Sequence, residues 1–433
     1  MATAYNHLRQ RLTQDDLVLE LRKAFEQIPD HRAKNVVHHL DEVLMSAYAI
    51  FALKYPSLLC FEQQSQSEKL NMRTLFGINK LCSDAQMRRI LDELDPEHLQ
   101  GLYARHFAYL RELGLLRQYR FLGKHLLLSI DGVEYFNSQQ VHCDKCLDKK
   151  QRGGSINYSH SMLGAVLVHP DHREVFPIAS EAIQKQDGNS KNDCELNAAK
   201  RLLDQLQIYY KDQPMVIIED ALYANEPHLE RILANAWDFI VSVKPASHET
   251  LFKHFEERKN RGQVKKLIQN KTGIDHHFYW INNVPLNGKG NVRVNLLYYE
   301  EHQAKGKVKR WTWVTSLVLN AHSVFAIMRA ARARWKIENE TFNTLKNQGY
   351  HFDHNFGHGY KHLSNVMAIM MLLAFLIDQI IQAISTTFQK VWAEVKTKAR
   401  IWEYARALFM TTVIPSFKEL SIYIADAYRV QLE

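Results

Sequence analysis

Residues 323–349 read SVFAIMRAARARWKIENETFNTLKNQG, and this stretch predicts a single amphipathic helix. Ser323 can cap its start and Gly349 can end it. Ala331, Trp335, Phe342 and Leu345 recur at helical spacing as an apolar stripe. Glu338 falls on that stripe, three residues after Trp335 and four before Phe342. A carboxylate on an inward face is costly unless a metal ion or a base compensates it. Glu340 points about 200° away by helix geometry, toward water, where Lys336 can pair with it at i,i+4. Glu338 is therefore the acid expected to have a function.

Upstream, the pattern is that of an alternating α/β chain. HLLLSIDG is a continuous apolar run ending in Asp131, as expected for a central strand. SMLGAVLVH and REVFPIASEAI read as further strands, and CELNAAKRLLDQLQIYY as an amphipathic helix starting after Asn192 or Asp193. MVIIEDALYAN is a second buried strand with Asp220 at its carboxyl end; the helix HLERILANA and the strand WDFIVSVKP follow. The carboxyl ends of strands are where ligands collect in open α/β sheets. Two aspartates there, with an inward glutamate from a later helix, would make a three-carboxylate pocket. Oxygen donors of this kind suit hard divalent cations such as Mg²⁺. Two such ions roughly 3.5–4 Å apart can activate a nucleophile and stabilise the leaving oxygen of a phosphodiester.

The flanks differ from this centre. Residues 1–118 read as a helical domain: Thr13 with Asp16 resembles a capping arrangement, Ser83 with Gln86 a capping box, and DEVLMSAYAIFALKY a buried helix. It is basic in places (Arg88, Arg89, Arg105, Arg111, Arg117, Arg120) and has no convincing helix-turn-helix signature. Residues 119–249 form the first part of the α/β core. VKKLIQ, HHFYWINNV, NVRVNLLYYEE and KRWTWVTSLVL make residues 250–320 a β-rich insertion. Residues 321–363 bring the helix of the third carboxylate, and residues 364–433 a helical C-terminal region.

Whole-chain properties agree with a nucleic-acid partner. The 433 residues are too many for one ordinary core, and 46% hydrophobic residues argue against disorder. Lys+Arg 55 against Asp+Glu 47 leaves a net charge of +8, which suits a polyanion and disfavours an acidic partner. Five cysteines make no disulfide framework and fit a reducing cytosol. MATAYNHLRQRL has no apolar signal core, and Val366–Ile381, interrupted by Asp378, reads as a buried helix rather than a membrane span.

Arg334-Trp-Lys-Ile-Glu338, followed by Phe342 and Lys346, resembles the Tyr-Arg-Glu-Lys signature of bacterial insertion-sequence transposases of the DDE class. The likeness extends to SIDGVEYF around Asp131, EDALYAN around Asp220, the β-rich insertion, and KNQGYHFDHNFGHG after the glutamate helix. The fold it implies is a ribonuclease-H-like α/β core carrying that insertion between helical ends. The activity it implies is cleavage at transposon ends and strand transfer into target DNA. It further implies two Mg²⁺ or Mn²⁺ ions, terminal inverted repeats as double-stranded substrate, a homodimer, and a cytoplasmic, nucleoid-associated location without a membrane. By that match Asp131, Asp220 and Glu338 are the catalytic and metal-binding triad. Arg334, one turn before Glu338, would hold a phosphate or orient the carboxylate, and Lys346 would contact DNA. Two departures stand: Ala331 occupies the signature's tyrosine position, and Lys346 comes one residue later than the usual spacing. A transposase-derived DNA-binding protein that no longer cuts, and a metal-dependent nuclease without strand transfer, are the alternatives.

Other features have plainer readings. His142-Cys143-Asp-Lys-Cys146 resembles half a zinc site, but no second CxxC exists; His142 and His160 could complete it. A flexible basic loop with Lys145, Lys149, Lys150 and Arg152 that contacts DNA is the preferred reading. The tail His351, Asp353, His354, Asn355, His358 reads as a capped turn, with a phosphate contact as the alternative. Glu181, Lys185, Asp187, Lys191 and Asp193 read as a solvated loop, and Trp311 with Trp313 as core packing on one strand face.

Overall fold

The computed structural model describes residues 12–33, 35–185, 194–288, 290–303 and 306–432. Its N-terminal part is helical: α1 (Gln14–Phe25), α2 (Leu40–Ala52), α3 (Leu58–Ser65), α4 (Lys69–Phe76), α5 (Asp84–Asp92) and α6 (Glu97–Glu112). Local chemistry sets the starts. Thr13 and Asp16 form a reciprocal capping box ahead of α1, and the Ser83 hydroxyl accepts from the Gln86 amide ahead of α5. Helix α2 is apolar on nearly every side, so it belongs in the interior; every residue from Val43 to Phe51 is buried.

The central part comprises β1 (Arg120–Phe121), β2 (His125–Ser138), β3 (Leu147–Lys150), β4 (Ile156–His169), β5 (His172–Ile183), α7 (Glu195–Tyr210), β6 (Met215–Glu219), α8 (Glu226–Ala234), β7 (Asp238–Ser242) and α9 (Glu249–Asn260). The first half of β2, His125–Ile130, is buried throughout, as its unbroken apolar run requires of a central strand. On one side β2 runs parallel to β6, and β6 to β7; on the other it pairs antiparallel with β4, and β4 with β5. Three antiparallel strands continued by two parallel ones make the ribonuclease-H-like core that the resemblance implied. Strands β8 (Lys265–Lys271), β9 (Ile274–Pro285), β10 (Arg293–His302) and β11 (Val308–Thr315) form an antiparallel meander. Because β11 pairs with β7, the meander extends the core sheet. Trp311 and Trp313 both stack on Tyr299 from one face of β11, with ring centroids 5.5 and 6.3 Å away.

Residues 323–349 are not one helix. Helix α10 (Val324–Arg332) ends in a turn, Ile337–Phe342 is π-helical, and α11 (Asn343–Asn347) completes the stretch. The wider π turn changes which residues face inward. Trp335, expected inward, is 51% exposed, whereas Ile337 is fully buried. Ser323 makes no side-chain cap; the Asn320 side-chain oxygen accepts from the His322 and Ser323 amides instead. Gly349, at φ +96°, turns the chain away after α11, a conformation that favours glycine.

The C-terminal helices are α12 (Leu363–Ile384), α13 (Thr386–Val395), α14 (Lys398–Thr411) and α15 (Phe417–Ala427). Helix α12 is long and apolar enough to cross a membrane, with mean hydropathy 2.1, yet 94% of that window is buried inside the protein. It packs against α2 and β5. Asp378 interrupts its apolar run because Lys54, fully buried just after α2, needs a counterion; the two lie 2.5 Å apart. The first and last helical regions therefore share one core.

Candidate active site

The register of two parallel strands assembles the site. Ser129 on β2 is level with Ile218 on β6, the last pair of that ladder, and Asp131 and Asp220 each follow two residues further along their chains. Neighbouring strands are about 4.8 Å apart. Both aspartates are half-buried. Asp220 follows the last residue of β6, and its Oδ1 accepts from the Leu222 amide at 2.8 Å, which starts the short turn Ala221–Tyr223. Glu219, one residue earlier, points the other way, buried with both oxygens against His228 Nε2 at 2.9 and 2.8 Å. Strand alternation thus separates a structural acid from one that faces the site.

Glu338 arrives from the π-helical segment, which packs across β2, β4 and β5. Arg334 joins it to Asp131: one guanidinium nitrogen lies 2.7 Å from Asp131 Oδ2 and the other 2.9 Å from Glu338 Oε1. The Ser129 hydroxyl donates to the Arg334 carbonyl at 3.3 Å, tying this turn to β2 beside the aspartate. Exposure does not separate the two glutamates, since Glu338 is 38% and Glu340 28% exposed. Partners do. Glu340 lies away from the site and pairs with Arg173 at 3.3 Å; the Lys336 ammonium, expected to take it, donates to the His172 carbonyl.

Glycines on both sides of Asp131 make room for these approaches. Gly164 is directly across the β2–β4 ladder from Asp131, and a Cβ there would come 3.2 Å from the Phe342 ring. At Gly132 a Cβ would come 2.8 Å from a carboxylate oxygen of Glu195. Glu195 opens α7 and accepts from the buried Tyr223 hydroxyl at 3.2 Å. It is a fourth acid at the site, and nothing in its local sequence singles it out. Burial pushes the Asp131 carboxyl well above the usual carboxylate range; the Arg334 guanidinium opposes this, and adjacent Glu338 raises it further. Burial raises Glu195 too, opposed by the Tyr223 hydrogen bond and assisted by the Asp220 charge. Asp131 and Glu338 thus share one arginine, and the Asp220 charge acts on Glu195 beside them, so the acids outnumber the cation that pairs with them. That excess of hard oxygen donors over positive charge fits divalent cations.

The other sequence-predicted residues lie apart from the acids. The Lys346 ammonium donates to the Glu134 carbonyl at 3.2 Å and pairs with Asp353 at 3.2 Å. Lys149 and Lys150 pair with Asn157 and Ile156 on β4, and Arg152 follows in the exposed turn. Lys149 is therefore roughly 20 Å along β4 from the level of Asp131, at about 3.3 Å per residue. Glu181 pairs with Arg201 at 2.6 Å and Lys185 with Asp148 at 2.7 Å; Asp187, Lys191 and Asp193 lie outside the described residues.

A family model described as "Transposase DDE domain" matches residues 157–376. The matched segment contains Asp220, Arg334, Glu338 and Lys346 and begins after Asp131. No curated protein matches the chain.

Proposed function

The chain belongs to the DDE transposase family, and from that premise we propose that Asp131, Asp220 and Glu338 are the acids with which it cuts and rejoins DNA. Proteins of this family act on DNA and use divalent metal ions. The observation that carries the reading is the parallel pairing of β2 and β6, whose last pair Ser129–Ile218 lies two residues before Asp131 and Asp220, with Glu338 held to Asp131 through Arg334. The three acids, with Glu195 beside them, would hold two Mg²⁺ or Mn²⁺ ions. Bound there, the ions would acidify a water and draw charge from the reacting phosphate.

The chain's own groups supply position and charge. Arg334 has five N–H donors and spends two on Asp131 and Glu338, which leaves donors for a phosphate oxygen. The Ser129 tether and the glycine clearances fix the acids before DNA arrives, so little reorganisation accompanies the reaction. Water attacks the phosphodiester at the transposon end; the P–O bond to the 3′-oxygen breaks and frees a 3′-hydroxyl. That hydroxyl then attacks a target phosphodiester in line, one P–O bond forming as another breaks. No enzyme nucleophile and no external energy source enters. Exposed Lys149, Lys150 and Arg152, with Lys346, would follow the DNA backbone away from the acids. The substrate would be double-stranded terminal inverted repeats, gripped by a homodimer and by the helical N-terminal region.

The test uses the full chain and a duplex carrying the inverted repeats that flank its gene, with Mg²⁺ or Mn²⁺. Cleavage at the repeat end followed by joining to a second duplex is expected. Cleavage without joining would mark a nuclease, and binding without cleavage a silent DNA-binding protein.

A further inference from the structure

The CxxC of residues 143–146 is not a free loop. Cys143 and Cys146 flank a tight turn closed by the Cys146 amide to the Cys143 carbonyl at 3.1 Å, with the Cys143 amide 3.4 Å from Cys146 Sγ. His160, on β4 opposite Phe136 of β2, points its Nε2 to 3.4 Å from each sulfur. His358, from the segment between α11 and α12, brings Nδ1 to 3.7 Å from Cys146 Sγ and 3.2 Å from His160 Nε2. The sulfurs are 3.7 Å apart, and all four ligand atoms lie within 4.8 Å of one another.

These separations have a simple meaning. Zn–S bonds of about 2.3 Å and Zn–N bonds of about 2.0–2.1 Å span a tetrahedron with edges of about 3.8 Å between sulfurs, about 3.3 Å between nitrogens and about 3.6 Å for mixed pairs. The observed 3.7, 3.2 and 3.4–3.7 Å follow that order. A disulfide would need sulfurs near 2.05 Å. We propose that Cys143, Cys146, His160 and His358 hold one structural Zn²⁺.

Burial agrees with a closed site: Cys146 and His160 are buried, Cys143 and His358 half-buried. Two thiolates and two neutral imidazoles balance one divalent charge, which makes that burial tolerable. The His358 ring is held by packing on Phe136, centroids 4.2 Å apart, since its Nε2 has no protein partner. His142, the completing ligand suggested by its neighbourhood in sequence, is excluded. It stacks on Tyr158 at 4.3 Å and hydrogen-bonds the Gln140 carbonyl.

The ion would cross-link residues 212 positions apart, Cys146 and His358. It would pin the segment that leaves the Glu338 helix to the strands bearing Asp131 and His160. Nearby, Tyr135 already joins the same parts by stacking on Phe352 and hydrogen-bonding Ser364. The basic β3 hairpin is carried on the same clamp.

The test measures metal, not DNA chemistry, so it fails or succeeds separately from the catalytic reading. Full-length chain prepared without a histidine tag should carry about one equivalent of zinc by mass spectrometry. Replacement by Co²⁺ should give the visible bands of tetrahedral cobalt with thiolate charge transfer. Cys146→Ser and His358→Ala should each lose the metal, and His142→Ala should keep it. Wild-type chain that takes up neither Zn²⁺ nor Co²⁺ overturns the proposal, whatever the variants' folding, and so does a His358→Ala chain that retains a full equivalent with the same cobalt spectrum.

Discussion

Asp378→Asn removes the counterion of an ammonium that is fully buried, and its effect can be worked out from the surroundings of Lys54. The Lys54 ammonium has Asp378 at 2.5 Å, the Ala52 carbonyl at 2.9 Å, and the rings of Tyr350 and Trp402 with centroids 4.4 and 4.3 Å away. Burial lowers its proton affinity, and Asp378 restores part of it. Breaking a buried ion pair from one side typically costs about 3–5 kcal/mol. An independent ceiling comes from the escape route. An ordinary lysine can be deprotonated at pH 7 for about 4.6 kcal/mol, so the variant loses no more than about 5 kcal/mol before it releases the proton. Folding of the variant then expels a proton, so its deficit should shrink as pH rises toward 10. Lys54→Met with Asp378→Leu removes both charges and should recover most of the loss, short of wild type by about 1–3 kcal/mol because the buried Tyr350 hydroxyl loses its Asp378 acceptor. Urea unfolding of wild type, Lys54→Met, Asp378→Leu and their double variant closes a double-mutant cycle, and Asp378→Asn is followed beside them at pH 7 and pH 9.5, all by tryptophan fluorescence. A loss below about 1 kcal/mol for Asp378→Asn, or a deficit independent of pH, would refute the reasoning.

Lys398 is buried beside Trp392, and burial lowers its ammonium to about 8. A cation lowered on folding destabilises the native state below about pH 8, and the penalty fades as pH rises to about 10.5; Lys398→Met should therefore gain up to about 3 kcal/mol at pH 7 and nothing near pH 10.5, read by thermal unfolding. Gly164→Ala sets a methyl 3.2 Å from the Phe342 ring; it should cost about 1–3 kcal/mol in urea unfolding and slow cleavage more than it weakens DNA binding, because Phe342 follows Glu338 on the same segment. Asp131→Asn, Asp220→Asn and Glu338→Gln should each abolish cleavage with DNA affinity largely kept, while Glu340→Gln, which removes a charge that faces Arg173, Lys336 and Lys398 away from the site, should be mild for cleavage; gel-based cleavage and band-shift assays separate the two.

What the sequence makes legible here is local. Continuous apolar runs mark β2 and β6 as interior strands; β6 stops at Glu219, just before Asp220, but β2 does not end at Asp131 as its apolar run suggests, because pairing with β4 carries it on to Ser138. The capping boxes at Thr13 and Ser83 need only neighbours three residues on. Periodicity misleads in residues 323–349 because a π turn adds residues to each rotation, so Trp335 comes out exposed although α-helical spacing turns it inward. Glu338 lies on that same stripe by α-helical spacing; what links it to Asp131 is Arg334, a contact across 203 residues of sequence. Glu195 is ordinary in its own helix and becomes part of the site only when α7 packs beside Gly132. His358 is read locally as part of a capped turn; its approach to Cys146 depends on where α12 docks, and no pattern within a few residues of either encodes that. Local periodicity reports burial, whereas the meeting of distant side chains is set by tertiary packing.

The most direct measurement is iron-directed cleavage of the protein's own backbone, with Fe²⁺ in place of Mg²⁺ and ascorbate and peroxide to generate radicals at the ion. Scission should cluster at three separated segments, around residues 131, 220 and 338, and should be suppressed by excess Mg²⁺ and by Asp220→Asn. Scission confined to one of these segments, or scission elsewhere that Mg²⁺ does not compete away, would contradict a shared ion site.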